Sequence, residues 1–412
     1  MRRPPLLWLL LPFALGYGGS YFYRNVGAVA GPILAQEFAM GPSDLGFLTS
    51  AYFLSFALAQ IPLGIALDRF GPALVNAVML TTAALGATIF GCADSTEMLI
   101  LGRSLIGLGA GAALMSAMSA VHIWAGHRRA ATCIGLIMAV GGIGAIFAGT
   151  PSQYLIDEFG WRALFFALAT FSCLVACLTL TTLGHVRPAA GGQTMRELLA
   201  GAAQIYRSPI FWRICIPFML TLGTMLAFQS LWAATWMRDV AGYTDKIAIA
   251  NVLVAFNIGM TAAFLCAGAI ADALKARGIT HLATMKCFFV IALMAQAWLL
   301  LAPTRLPHLA WATMSFGANA LVLGFPLLAA RFPPQLTGRV NTSINMLAFS
   351  CAFLLQWGIG LVVNLWPAHA GGYAVAGYYV AWGAMLLAQA IAFVWLLTST
   401  RAGPAAASQG GQ

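Results

Sequence analysis

The chain has 412 residues, of which 61% are hydrophobic and 8% charged, and its formal net charge is +10. Soluble domains carry about 25% charged residues, so an ordinary soluble protein is excluded. The basic surplus sits at the ends of long apolar runs and not on a polar face, so no nucleic-acid partner is expected.

Apolar runs of bilayer length, about 20 residues, lie near 7–35, 45–67, 73–93, 98–123, 131–153, 162–184, 212–237, 247–270, 282–302, 308–330, 339–364 and 374–398. Backbone polar groups in lipid must be paired inside the segment, so each run predicts a helix. The expected fold is an all-α membrane protein with twelve transmembrane helices in two pseudo-symmetric six-helix bundles. With both termini on one side, that side receives 15 of the 21 basic residues. The other side receives five: Arg103, Arg162, Arg238, Lys246 and Arg305. The positive-inside rule then makes both termini cytoplasmic.

The first run begins near Leu6 like a signal sequence. It continues too far and has no small-residue cleavage site, so it is expected to be retained. It contains "YFYRNVGAV", Tyr21–Val29. Arg24 cannot shed its charge, and a charge at membrane depth costs several kcal/mol. Two placements are open. Arg24 lies about 27 Å along the helix from Leu6, where it can snorkel to the interface, or it faces a wet cavity and meets an anion there. Tyr17, Ser20, Tyr21 and Arg24 share one helix face by their i, i+3, i+4 and i+7 spacing, and apolar sequence continues to Leu34, which favours the cavity.

The second run is followed by "GIALDRFGPALV" (Gly64–Val75) and the eighth by "GAIADALKARGI" (Gly268–Ile279), 204 residues later. Charges at a helix end interact with its dipole and with neighbouring helices. Gly64, Asp68, Arg69 and the counterpart Asp272 are therefore expected to latch the two halves and not to bind solute. The fourth run holds Arg103 near its start and His122 near its end, both possible functional residues with structural alternatives. His122 can titrate near neutral pH.

The polar stretch 185–211 divides the runs six and six. The expected domains are 1–184, a cytoplasmic linker 185–211, 212–400, and a disordered tail 401–412. In the second half, Gln229 with Trp232, Asn257, Asn345 and Gln356 are polar side chains within apolar runs. Each can hold a carboxylate or hydroxyl of a solute, or bond a neighbouring helix. The repeat offset carries Arg24 onto Phe228, beside Gln229.

All eleven acidic residues fall in loops or at run ends. A proton relay through a buried carboxylate is therefore not expected. The eight cysteines read as small buried apolar residues, with no disulfide framework or zinc spacing. No cofactor and no metal are expected. His281 and Met285 in "HLATM", with 17 methionines, leave a copper reading open.

The sequence resembles the major facilitator superfamily in Gly64, Asp68, Arg69 and Gly71 of the first loop, in "LGRSLIGLGAG" (Leu101–Gly111) and in "FGWRALF" (Phe159–Phe165). Pro72 and Ala73 depart from the family's loop motif. The resemblance runs from about Leu6 to about Thr400 and implies a secondary transporter working by alternating access, with the first loop as a gate. "YFYRNVGAVAGPIL" is similar to the first helix of branches that carry organic anions, the organophosphate:phosphate antiporters and the sugar-acid anion:cation symporters. That likeness implies that Arg24 faces a substrate anion and that Arg103 matches a family arginine. Tyr23 and Ala110 stand where the sugar-acid symporters carry acids, and Leu226 stands near the antiporters' second arginine. A monoanion is implied over a phosphate.

The expected protein is a secondary transporter, not an enzyme, of a monoanionic organic acid. Arg24, Tyr21, Tyr17, Gln229, Trp232, Asn257, Asn345 and Gln356 are its candidate binding residues. Exchange, uniport or co-transport with the substrate's own proton is expected. Alternatives are a multidrug efflux antiporter, loosely echoed by "GGIGAIFAGTP" (Gly141–Pro151), a copper importer, and a non-transporting membrane sensor. The expected setting is a monomer in the bilayer of a bacterial inner membrane.

Overall fold

The computed structural model describes residues 6–124, 126–183, 203–333, 336–367 and 372–398. The expected linker falls largely outside these residues, and the expected tail wholly so. Among the described residues nine helices are long and apolar enough to cross a membrane, and Cys133–Phe147 is a shorter apolar helix. The first span is divided into Leu6–Asn25 and Gly27–Glu37. The second and third spans are the two arms of Pro42–Gly91. The result is the expected all-α arrangement of twelve spans in two six-helix bundles.

Local chemistry starts the spans where the loops are polar. Ser95 accepts a bond from the Met98 amide at 3.3 Å, Asp245 from Ile247 at 2.9 Å and Thr280 from Ala283 at 3.2 Å, so each caps orphan donors of a first turn. Glycine ends two of them. Gly71 (φ 78°, ψ 165°) and Gly160 (φ 82°, ψ 160°) sit in a backbone region open essentially to glycine alone. They close the similar segments "DRFG" and "DEFG", which mark a three-helix repeat inside the first half.

The first span of each three-helix unit is interrupted. The first breaks at Val26, the fourth at Gly111–Ala112, the seventh through a π-helical turn at Phe228–Trp232, and the tenth through a 3₁₀ turn at Leu321–Leu323. Continuous sequence-predicted helices stand corrected at these four points. The apolar pattern runs through each interruption, which is why the sequence does not announce it.

Between halves, the second span packs along Thr337–Val363 and the fifth along Lys246–Ala276. No hydrophobic force drives helices together in lipid, so small residues that allow backbone approach carry the packing. A Cβ at Gly46 would stand 3.1 Å from the Gln356 carbonyl oxygen, and one at Gly27 would stand 2.9 Å from that of Ser230. Within the first half, Glu37 accepts Arg162 at 2.6 Å and the Trp161 indole at 2.7 Å, tying the first span's far end to the sixth.

Gly160→Ala isolates backbone strain, because nothing lies within 4 Å of the added Cβ. It is expected to destabilise the fold by about 1–3 kcal/mol, read as a lowered Tm in detergent.

Candidate functional site

A cavity of about 280 Å³ lies between the halves. Its wall draws on early residues of the first, seventh and eleventh spans, including Tyr17, Phe218 and Asn341, and on late residues of the tenth, such as Pro326. The cavity therefore belongs to the N-terminal side of the bundle. The opposite side is closed by the inter-half contacts.

Arg24 is only 4% exposed and lines this cavity. Of the two placements left open, the side chain takes the one packed inside the protein, against the cavity. Its guanidinium carbon stands 4.4 Å from the ring centre of Tyr21, 5.0 Å from Phe349 and 5.6 Å from Phe56. Phe56 and Phe349 come from opposite halves and stack at 4.0 Å between centres. These ring faces are weak partners for a cation, worth about 0.5–2 kcal/mol each. The Arg24 Nε has no hydrogen-bond partner, and among the described residues no acid lines the cavity. The site thus holds one positive charge that the protein leaves uncompensated.

The backbone break beside Arg24 explains Arg103, which is 2% exposed and lies well inside its span. Where the first helix stops, its last carbonyls lose their intrahelical donors. Arg103 replaces them, donating from Nη1 to Tyr23 O at 2.7 Å and from Nη2 to Arg24 O at 3.4 Å. The fourth span's break serves similarly: Ser20 donates to Ala110 O at 3.3 Å and Gln60 to Gly111 O at 3.4 Å. Tyr23 points away from the cavity, its hydroxyl 3.0 Å from Ser172 Oγ.

The candidate residues separate into two groups. Tyr17, Tyr21, Arg24 and Asn345 line the cavity. Gln229, Trp232, Asn257 and Gln356 are absent from its wall and bond within the protein. Gln229 donates to Asn257 Oδ1 at 2.6 Å, and Asn257 donates across the halves to Ala145 O at 2.9 Å. Ser230 donates to Gln356 Oε1 at 2.6 Å, Trp232 donates to Gln356 O at 2.9 Å, and Gln356 donates across the halves to Thr49 Oγ1. These residues knit the closed side of the cavity.

The gating candidates sit at the N-terminal face. Asp272 is 3.3 Å from His281 Nε2, while Met285 is buried against Gly324, so the His-x-x-x-Met pair does not face the cavity together. Arg69 lies exposed over Phe70 at 5.3 Å, and Gly64 is unobstructed. The side chains of Asp68 and His122 lie outside the described residues. Among the described residues, no cluster of three or more His, Cys, Asp or Glu could hold a metal. On the far side a smaller cavity of about 180 Å³ is lined by residues including Arg238, Lys246, Gln36 and Gln153.

Phe56, Phe349, Asn319 and Asn341 are wall residues that the sequence reading missed. Both phenylalanines look like ordinary lipid-facing residues in one dimension. Asn319 and Asn341 carried the same polar-in-apolar signal as Asn345.

The two arginines should separate cleanly in stability. Arg103→Ala strands two buried carbonyls at about 1–3 kcal/mol each, so its Tm should fall. Arg24→Met removes an uncompensated buried charge, so the Tm of the ligand-free protein should hold or rise.

The chain matches the family model described as Major Facilitator Superfamily over residues 13–355. An uncharacterized MFS-type transporter of Mycobacterium tuberculosis (strain ATCC 25618 / H37Rv) is 28% identical over 192 residues, 45% of this chain and 32% of that protein. The chain thus spans about a third of that relative's length. A probable L-galactonate transporter of Escherichia coli (strain K12) is 23% identical over 397 residues, covering 89% of this chain and 85% of that protein. Among solved structures, a bacterial homologue of the human lysosomal transporter Spinster, inward-facing and occupied, superposes with a TM-score of 0.76. It covers 97% of this chain and 98% of that one at 17% identity, a likeness of fold. With the family model matched over most of its length, the twelve-span chain belongs to the Major Facilitator Superfamily.

Proposed function

We propose that the protein is a secondary transporter of a small organic monoanion, working by alternating access. One observation carries the reading: Arg24 is buried in the central cavity with no acid beside it among the described residues. A lone buried cation costs several kcal/mol, and an anionic substrate supplies the missing partner through charge-assisted hydrogen bonds. One cation matches one negative charge. The relative named for L-galactonate is named for a monocarboxylate, which supports the same class.

Tyr21, Tyr17 and Asn345 share the cavity with Arg24 and are proposed to orient the solute. Gln229, Trp232, Asn257 and Gln356 are proposed to act as the seam that closes the far side. Gly64, Asp68, Arg69 and Asp272 are proposed as latches on the cavity's own side. The distribution of basic residues supports a cytoplasmic N-terminal face, and hence an inward-facing state in a bacterial inner membrane. With no carboxylate among the described wall residues, exchange, uniport or co-transport with the substrate's own proton is favoured over a carboxylate relay.

The test is a thermal-shift screen of the detergent-purified chain against carboxylates, phosphates, cationic drugs and Cu(I). A ligand present at 100 times its Kd adds about 2.7 kcal/mol of stability. Stabilisation by carboxylates, abolished in a folded Arg24→Ala variant, is expected. Stabilisation by drugs or copper that survives in Arg24→Ala would sink the proposal.

A further inference from the structure

Resting on the anion reading of Arg24, we infer that the substrate is a monocarboxylate with a compact apolar body, aromatic or branched-aliphatic, and not a polyhydroxylated acid. The wall is mostly apolar: Ser20, Gln60 and Asn319 already donate within the protein, which leaves Tyr17, Tyr21, Asn341 and Asn345 beside Arg24 as the polar groups that meet a solute. Ser20 Oγ donates to Ala110 O at 3.3 Å and lies 3.4 Å from the Tyr52 hydroxyl. Gln60 Nε2 donates to Phe56 O at 3.2 Å and Gly111 O at 3.4 Å. Asn319 Nδ2 donates to Ser315 O at 2.8 Å. Among the fully buried, described wall atoms, Arg24 Nε and Asn341 Oδ1 have no partner. A sugar acid would bring several hydroxyls out of water into this space, and each one left unpaired costs about 1–3 kcal/mol.

The remainder of the wall is apolar and adaptable. Leu222, Leu226, Met138, Phe264, Val322 and Phe325 face the space from four spans. Burying apolar substrate surface there gains about 25 cal/mol per Å², and methionine thioethers fill irregular gaps around different shapes. Size narrows the class further. An apolar cavity of about 150 Å³ already admits benzene, so about 280 Å³ accommodates one ring or a branched chain plus a carboxylate. Drug-sized ligands occupy pockets of about 300–1,000 Å³, so this space sits just below that range. The charge fixes one end of the substrate and the wall selects the other.

Benzoate, 4-methylpentanoate, neutral benzamide and gluconate would be compared by thermal shift and by competition on the full native chain, at a pH where the acids are ionised. Benzoate and 4-methylpentanoate should bind at least tenfold more tightly than gluconate, and benzamide should bind at least tenfold more weakly than benzoate. Leu222→Asn, with Met138→Gln as a second variant, should weaken benzoate fivefold or more while leaving its dependence on Arg24 intact. Gluconate binding as tightly as benzoate, in an Arg24-dependent manner, would overturn this inference and leave the anion reading standing. Benzamide binding as well as benzoate, or no carboxylate binding at all, would remove the anion reading and this inference with it. The ranking on the native chain decides the matter even where a variant fails to fold.

Discussion

The molecule is organised around a guanidinium that the protein does not neutralise. Arg24 is buried among Tyr21, Phe56 and Phe349, whose ring faces offer only a fraction of what water or a carboxylate offers a cation. Holding it there requires rigid support. Arg103 supplies that support by donating to the carbonyls of Tyr23 and Arg24 in the last turn of the first helix. The two arginines thus divide the work, one spent on the backbone and one left available. A reading that treated every buried basic residue in the membrane as a ligand contact would conflate them.

The helix interruptions give that arrangement its geometry. They fall in the first, fourth, seventh and tenth spans: Gly111 and Val322 line the cavity, while Val26 and Phe228–Trp232 lie on its closed side. Non-helical backbone is tolerated in a membrane only where protein or a wet cavity satisfies it. Here Ser20, Gln60 and Arg103 accomplish this. The Phe228–Trp232 turn places Ser230 against Gly27, so the interruptions of the two halves meet face to face. Internal symmetry therefore puts the least regular backbone at the centre of the bundle.

Much of this was legible in one dimension. Apolar run lengths gave the twelve spans, and the 204-residue offset of Gly64–Val75 and Gly268–Ile279 gave the two halves. Arg24 stood out because a charge in an apolar run has no inexpensive explanation. The partition of the amides was not legible. Asn345 and Gln356 lie on one helix with the same composition around them, yet one faces the cavity and the other spans the seam to Thr49. Which neighbour a polar group meets is decided by helix rotation and crossing, which periodicity within one helix does not encode. The interruptions were hidden for a related reason: Val26 and Phe228 are apolar, and no proline or glycine pair marks either site.

The hydrogen bonds that join the halves on the closed side of the cavity are neutral. They are amide, hydroxyl and carbonyl bonds such as Gln356 to Thr49 and Asn257 to Ala145, beside glycines set against backbone. The ion pairs near this side, Glu37 with Arg162 and Arg238 with Asp239, each stay within one half. Salt acts on exchanging charges and scarcely on buried neutral dipoles. The bonds that cross this seam are therefore dipolar, and none of those described is an ion pair. In the alternating cycle proposed above, these dipolar bonds are what an occupant of the cavity would have to outweigh, and their strength would vary little with the electrolyte outside.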